Sequence, residues 1–153
     1  MRRGLRAGLG FLTATQIVVG VWALFLPARF FALGVVGMGM AYNVHLMRDY
    51  GAMTLASAVV LGAATIHMGQ WITRTALVMY LTWAVSHFFV HLTMLDMMLD
   101  HLGPSTVTLL MVALGLAIAL PAVLLVLTVR EPWTARVEEP APEQVGDRGS
   151  HRE

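Results

Sequence analysis

The chain lacks cysteine and lysine, and it carries little charge. None of its 153 residues is Cys, and all ten basic residues are Arg. The missing thiols exclude disulfides, thiolate metal sites and thiol catalysis, and the missing Lys excludes a Schiff-base mechanism. Charged residues make up 12% of the chain, against roughly 25% in an average soluble domain, and 58% is hydrophobic. This composition is typical of an integral membrane protein, with room for one domain.

The charged residues are too few and too balanced to suggest a polyanionic partner. The net charge is +1 and the pI is about 8.4, which favours neither nucleic acid nor an acidic substrate. We therefore expect no nucleic-acid partner and a lipid bilayer as the main surroundings.

Long uncharged gaps separate the few charges and predict the membrane spans. No Asp, Glu or Arg lies between Arg6 and Arg29, and three later gaps of similar length follow. Each gap is long enough for a helix to cross a hydrocarbon core of roughly 30 Å. We predict an all-α, four-helix transmembrane bundle with spans at residues 7–26, 50–72, 75–95 and 105–129. A basic segment precedes the first span, as in a signal peptide, but a cleavage site is missing, so we expect this span to be retained.

The arginines predict the orientation of the bundle. One side holds five of them and the other holds Arg29 and Arg48, so the positive-inside rule places both termini in the cytoplasm of a cell membrane. The apolar, glycine-broken linker at residues 27–44 is expected to lie at the outer interface or to re-enter the membrane, covering the outer mouth of the bundle. The Pro-, Glu- and Arg-rich residues 131–153 are expected to form a disordered cytoplasmic tail.

Two histidines inside the third span are the main candidates for function. His87 and His91 are four residues apart, so on a helix they share a face one turn apart. Polar groups at membrane depth are costly and usually have a use. The second span begins at the same membrane level with His45 and Asp49, also four residues apart. Antiparallel packing of the two spans predicts that these four residues converge as ligands for zinc, iron or haem.

Three further side chains are candidate cofactor contacts. Arg48 could hold a carboxylate or an anion, and Tyr80 and Trp83 align with His87 at helical spacing. The alternative for all these residues is a structural polar cluster in which the histidines hydrogen-bond across helices. Methionines crowd the outer side of the chain and leave Cu(I) as another possibility, although Met is also a common core filler.

Two stretches of the chain resemble a family of small membrane proteins. The sequence YNVHLMRDYG at residues 42–51 and WAVSHFFVHL at residues 83–92 are similar to segments of the DoxX-like four-helix bacterial membrane proteins. The resemblance covers the four spans and leaves out the tail. It implies a link to membrane redox systems, because DoxX-like relatives include quinone-linked oxidoreductase subunits and redox-stress proteins. A thiol role proposed for relatives would not transfer to a chain without Cys.

The leading functional hypothesis is a small membrane protein with an outer-side pocket. The pocket would bind a metal or a small polar or quinone-like ligand as part of a membrane redox system, and no catalytic residue is predicted. The alternative is a non-enzymatic subunit that packs against other membrane proteins, or against its own copies, through small-residue faces such as Ala113 and Ala117.

Overall fold

Helices form every regular element in the described part of the chain. The computed structural model describes residues 2–130, and the predicted tail at residues 131–153 lies outside them. In chain order the helices are α1 (Arg2–Phe25), α2 (Pro27–Phe31), α3 (Gly34–Gly37), α4 (Val44–His67), α5 (Gln70–Thr93), α6 (Leu95–Leu102) and α7 (Pro104–Arg130).

Four of these helices are long and apolar enough to cross a membrane. They are Arg2–Phe25, Val44–His67, Gln70–Thr93 and Pro104–Val129, so the predicted all-α, four-helix transmembrane bundle is confirmed. The second and third of these spans, α4 and α5, begin earlier than the predicted spans at residues 50–72 and 75–95. Local backbone signals set these ends, because the Asn43 side chain caps α4 by accepting from the Leu46 N–H (3.1 Å). Met68, in the left-handed conformation (φ 51°), then ends α4.

The bundle is built from two tightly packed pairs of helices. α1 packs most extensively on α4, α5 packs on α7, and α4 joins α5 across the two-residue connection at Met68 and Gly69. A shared core of leucines, including Leu9, Leu61 and Leu77, is completely buried between the helices. The short connection makes α4 and α5 antiparallel neighbours, as the sequence predicts.

Glycine allows two backbones to approach closely where α1 crosses α4. A Cβ placed on Gly51 would lie 2.5 Å from the Leu24 backbone nitrogen and 2.9 Å from the Gly20 carbonyl oxygen. No other residue type fits between two backbones at this separation. This contact lies inside the bundle, whereas Ala52 and Ala56 on the same helix are exposed.

The outer surface of the bundle is apolar, as a bilayer requires. Large hydrophobic side chains such as Trp71 (82% exposed), Val59 (72%) and Leu109 (71%) point away from the core. Several threonine hydroxyls on the spans donate to carbonyls of their own helices, as when Thr82 donates to the Val78 carbonyl (2.9 Å). The buried Thr73 hydroxyl has no hydrogen-bond partner among the described residues. The described surface therefore suits lipid contact along all four spans.

The two ends of the bundle differ, and we name them for the residues that mark them. At the Arg74 end, the Arg74 guanidinium donates to the Thr128 carbonyl (2.9 Å) and hydroxyl (3.4 Å), tying the start of α5 to the last turn of α7. A cation there also suits the negative end of the α7 dipole. The histidine end carries the short helices α2, α3 and α6, of which α2 packs on α1 and α4 and α6 packs on α7.

Candidate functional site

The two span histidines stand in a column of rings along α5. The Nε2 atoms of His87 and His91 are 3.3 Å apart, and the two rings are nearly perpendicular (87°) with centroids 4.7 Å apart. Trp83 stacks on His87 at 5.0 Å and 12°, and Tyr80 contacts Trp83 at 5.6 Å. Helical spacing of three and four residues places all four rings on one face. The column predicted from the sequence is therefore present.

Met98 holds His91 from the other side. The Nδ1 atom of His91 lies 3.3 Å from the sulfur of Met98, whose side chain is completely buried, and His91 itself is only 5% exposed. α5 ends at Thr93, the chain turns at Met94 (φ −108°), and Met98 follows in α6, which packs on α7.

The sulfur contact determines where the proton sits on His91. A thioether sulfur can only accept, so Nδ1 of His91 must carry the hydrogen of this bond. In the neutral ring, Nε2 of His91 then presents a lone pair, and Nε2 of His87 donates to it. Fixing one ring nitrogen so that the other is left available is the usual arrangement behind a histidine that binds a ligand.

Both histidines line a cavity at the histidine end of the bundle. Its volume is about 290 Å³, and its surface is mainly apolar. The segment after α1 contributes Phe30, Val35, Val36, Met38 and Met40, α4 contributes Met47 and Tyr50, and α5 with the following turn contributes His87, Val90, His91 and Met94. The linker at residues 27–44, expected to cover the outer mouth, forms one wall of this cavity.

Aromatic contacts fix that wall against the spans. Phe30 in α2 stacks on Tyr50 of α4 (6.1 Å, 18°) and meets Trp22 of α1 edge-on (5.6 Å, 64°). Phe30 is 7% exposed, and such aromatic pairs add to the stability gained by burial alone. The cavity wall is thus attached to two spans through one buried ring.

His45 and Asp49 form a separate pair outside this cavity. Their side chains are 3.3 Å apart, 83% and 61% exposed respectively, and neither residue lines the cavity. The reason is the rotation of α4. At 100° per residue, His45 and Asp49 point about 160° away from Met47, which faces the cavity.

The structure therefore separates the four residues that the sequence predicted as one metal site. Residues 2–130 contain no group of three or more His, Cys, Asp or Glu that could hold a metal ion. His87 pairs with His91, and His45 pairs with Asp49. Arg48 is exposed and does not line the cavity.

Tyr80 and Trp83 lie deeper in the bundle than the histidine cavity. Tyr80 is 6% exposed and belongs to the core, where it also borders a groove between α1 and α7. Trp83 lines a second cavity of about 290 Å³, which it shares with Tyr50 and the buried Gln16. Their contact with a cofactor stays a prediction, and their link to the site is the stack onto His87.

Sequence reasoning missed Tyr50 and the role of Met98. Tyr50 is three residues beyond Met47, so both face α5 once the rotation of α4 is known. Met98 is seven residues after His91, and the turn at Met94 sets the direction of α6 and therefore the position of the Met98 side chain relative to His91. The sequence contains no strong sign of that turn.

The chain matches no protein-family model, no curated protein and no solved structure. The residues of the site themselves are thus the basis for a functional interpretation.

Proposed function

We propose that this membrane protein binds a small ligand at the imidazole pair of His87 and His91. The observation that carries the proposal is the position of the pair, which borders a cavity of about 290 Å³ with mainly apolar walls. A histidine pair that served only to join helices would be expected to bond across to another span. Here the two rings bond to each other along one helix, with Nε2 atoms 3.3 Å apart.

The proposed orientation places this cavity on the outer side of a cell membrane. The basis is the excess of Arg at the other end, which carries Arg2, Arg3, Arg6, Arg74 and Arg130, whereas the histidine end carries Arg29 and Arg48. Both termini would then face the cytoplasm, and the ligand would enter from the outer interface past α2 and α3.

A metal ion is the ligand class that the pair supports best. Two nitrogen ligands on a tetrahedral metal, with bonds of about 2.0–2.1 Å, lie about 3.3–3.4 Å apart, which is close to the separation of the two Nε2 atoms (3.3 Å). Metal-binding histidines usually donate their other N–H to a fixed partner, as His91 does to Met98.

A quinone-like molecule is the second candidate, favoured by the aromatic and aliphatic walls. Phe30, Tyr50 and Val90 would contact a flat apolar ring, and the Nε2–H of His87 would donate to its carbonyl oxygen. This candidate agrees with the proposed relation to the DoxX-like families, some of whose members are quinone-linked.

Ligand binding by purified protein tests the proposal. The experiment compares metal uptake and binding of a short-chain quinone by the wild-type protein, the double variant His87→Leu/His91→Leu, and the control His45→Leu. We expect the double variant to lose binding and the control to retain it, because His45 is exposed and outside the cavity.

Equal binding by all three proteins, or by none, would contradict the proposal. Binding by none of the three proteins would favour a non-enzymatic subunit that packs against other membrane proteins. Circular dichroism of each variant shows whether the helical bundle persists.

A further inference from the structure

Sulfur dominates the ligating atoms around the histidine pair. Four of the cavity-lining residues are methionines, namely Met38, Met40, Met47 and Met94, and the sulfur of Met98 contacts His91 from behind. These side chains come from three separate parts of the chain, so the concentration does not follow from one Met-rich segment. Thioether sulfur is a poor ligand for hard cations and a good ligand for Cu(I).

Among the described residues 2–130, no charged group lines the cavity. Its polar side chains are His87, His91 and Tyr50, and none of the lining residues is Asp, Glu or Arg. The cost of moving an ion into surroundings of low dielectric is large, and a divalent ion needs opposite charges to offset it. Because this cost grows with the square of the charge, a monovalent ion needs far less compensation. Neutral ligands in an apolar wall therefore favour a monovalent metal.

We propose that the ligand of this site is a soft monovalent metal ion, Cu(I), held by His87 and His91 with methionine sulfur. The inference rests on the proposed function and specifies the ligand of the same site. An ion bonded to both Nε2 atoms, which are 3.3 Å apart, would subtend about 107° for bonds of about 2.05 Å. That angle leaves further coordination positions on the cavity side for thioethers.

The proton positions are compatible with this coordination. Nδ1 of His91 donates to Met98, so Nε2 of His91 already presents its lone pair. His87 donates from Nε2 in the hydrogen-bonded pair, and it would bind the ion after that proton moves to Nδ1. Both rings then remain neutral, and the bound site carries the single positive charge of the ion.

Competition for Cu(I) tests this inference. Purified protein in detergent is titrated anaerobically into a chromophoric Cu(I) chelator with ascorbate as reductant, and parallel titrations use Zn(II) and the redox-inert ion Ag(I). We expect one Cu(I) or Ag(I) per chain and much weaker Zn(II) binding. The double variant His87→Leu/His91→Leu should lower the affinity for Cu(I) by at least a hundredfold.

Sulfur is tested separately by replacing methionine with leucine, which conserves volume and usually preserves the fold. Met47→Leu/Met94→Leu changes two cavity residues, and Met53→Leu/Met79→Leu changes two that line the neighbouring cavity instead. We expect at least a tenfold loss of Cu(I) affinity in the first pair and less than a twofold change in the second.

The outcomes separate the two proposals. Zn(II) binding that depends on His87 and His91, without Cu(I) binding, would overturn the present inference and leave the proposed function standing. Binding of a quinone alone would do the same. Cu(I) binding that is unchanged in Met47→Leu/Met94→Leu would overturn the role of sulfur, and no histidine-dependent binding of any of these ligands would overturn both proposals.

Discussion

Adding a single methyl group at Gly51 should weaken the packing of α1 on α4 and lower the free energy of unfolding. In Gly51→Ala the new Cβ would start 2.5 Å from the Leu24 nitrogen, whereas ordinary contacts begin at 3.4 Å, so the two backbones must separate by the difference of about 0.9 Å. A gap of 0.5–1 Å already forfeits roughly a quarter to a half of each dispersion contact along the seam.

The expected loss of stability in Gly51→Ala is the difference between two opposing contributions. Overpacking of this kind costs roughly 1–3 kcal/mol, and the upper end applies because the obstructing atoms belong to backbone. Alanine regains about 1 kcal/mol over glycine in a helix, which leaves a net loss of about 2 kcal/mol in the free energy of unfolding.

Gly115→Ala is the matched control for this prediction. A Cβ at Gly115 in α7 would meet nothing within 4 Å, so only the helix propensity changes and the variant should be more stable by up to about 1 kcal/mol. Unfolding in mixed micelles with increasing denaturing detergent, followed by circular dichroism, measures both changes. If Gly51→Ala is as stable as the wild type, the close backbone contact that we describe is wrong.

Three other predictions concern the ends of the bundle. Arg74→Gln should lower the free energy of unfolding by about 1–3 kcal/mol, because the Thr128 carbonyl loses a charged donor; an unchanged unfolding midpoint would contradict this. His45→Leu should change it by less than about 1 kcal/mol, since its partner Asp49 is exposed, and a larger loss would show that the pair supports the fold. Reporters of cytoplasmic and external location, fused after the C-terminus and in the connection before α7, should report cytoplasmic and external positions respectively. The reverse result would contradict the proposed orientation.

Composition and charge spacing were sufficient to predict the bundle. Uncharged gaps have the length that a bilayer demands, so the number and order of the spans follow from the sequence. The helix ends were harder to predict, because the cap at Asn43 and the left-handed residue Met68 set them instead of the nearest charge.

The histidine column could also be predicted, since it depends only on positions within one helix. His87, His91, Trp83 and Tyr80 keep the spacing that places them on one face of α5. Whether His45 and Asp49 converge with this column depends on the rotation of α4 about its own axis. That rotation depends on how Gly51 packs against α1, and periodicity within α4 contains no clear stripe that reveals it.

Metal content measured on purified protein is the most direct test of the ligand site. Wild-type protein, His87→Leu/His91→Leu and His45→Leu would each be incubated with Cu(I) under reducing conditions, freed of excess ion, and analysed for copper per chain by mass spectrometry. We predict one copper per chain in the wild type and in His45→Leu, and none in the double variant. Equal copper in all three proteins would contradict a site at His87 and His91.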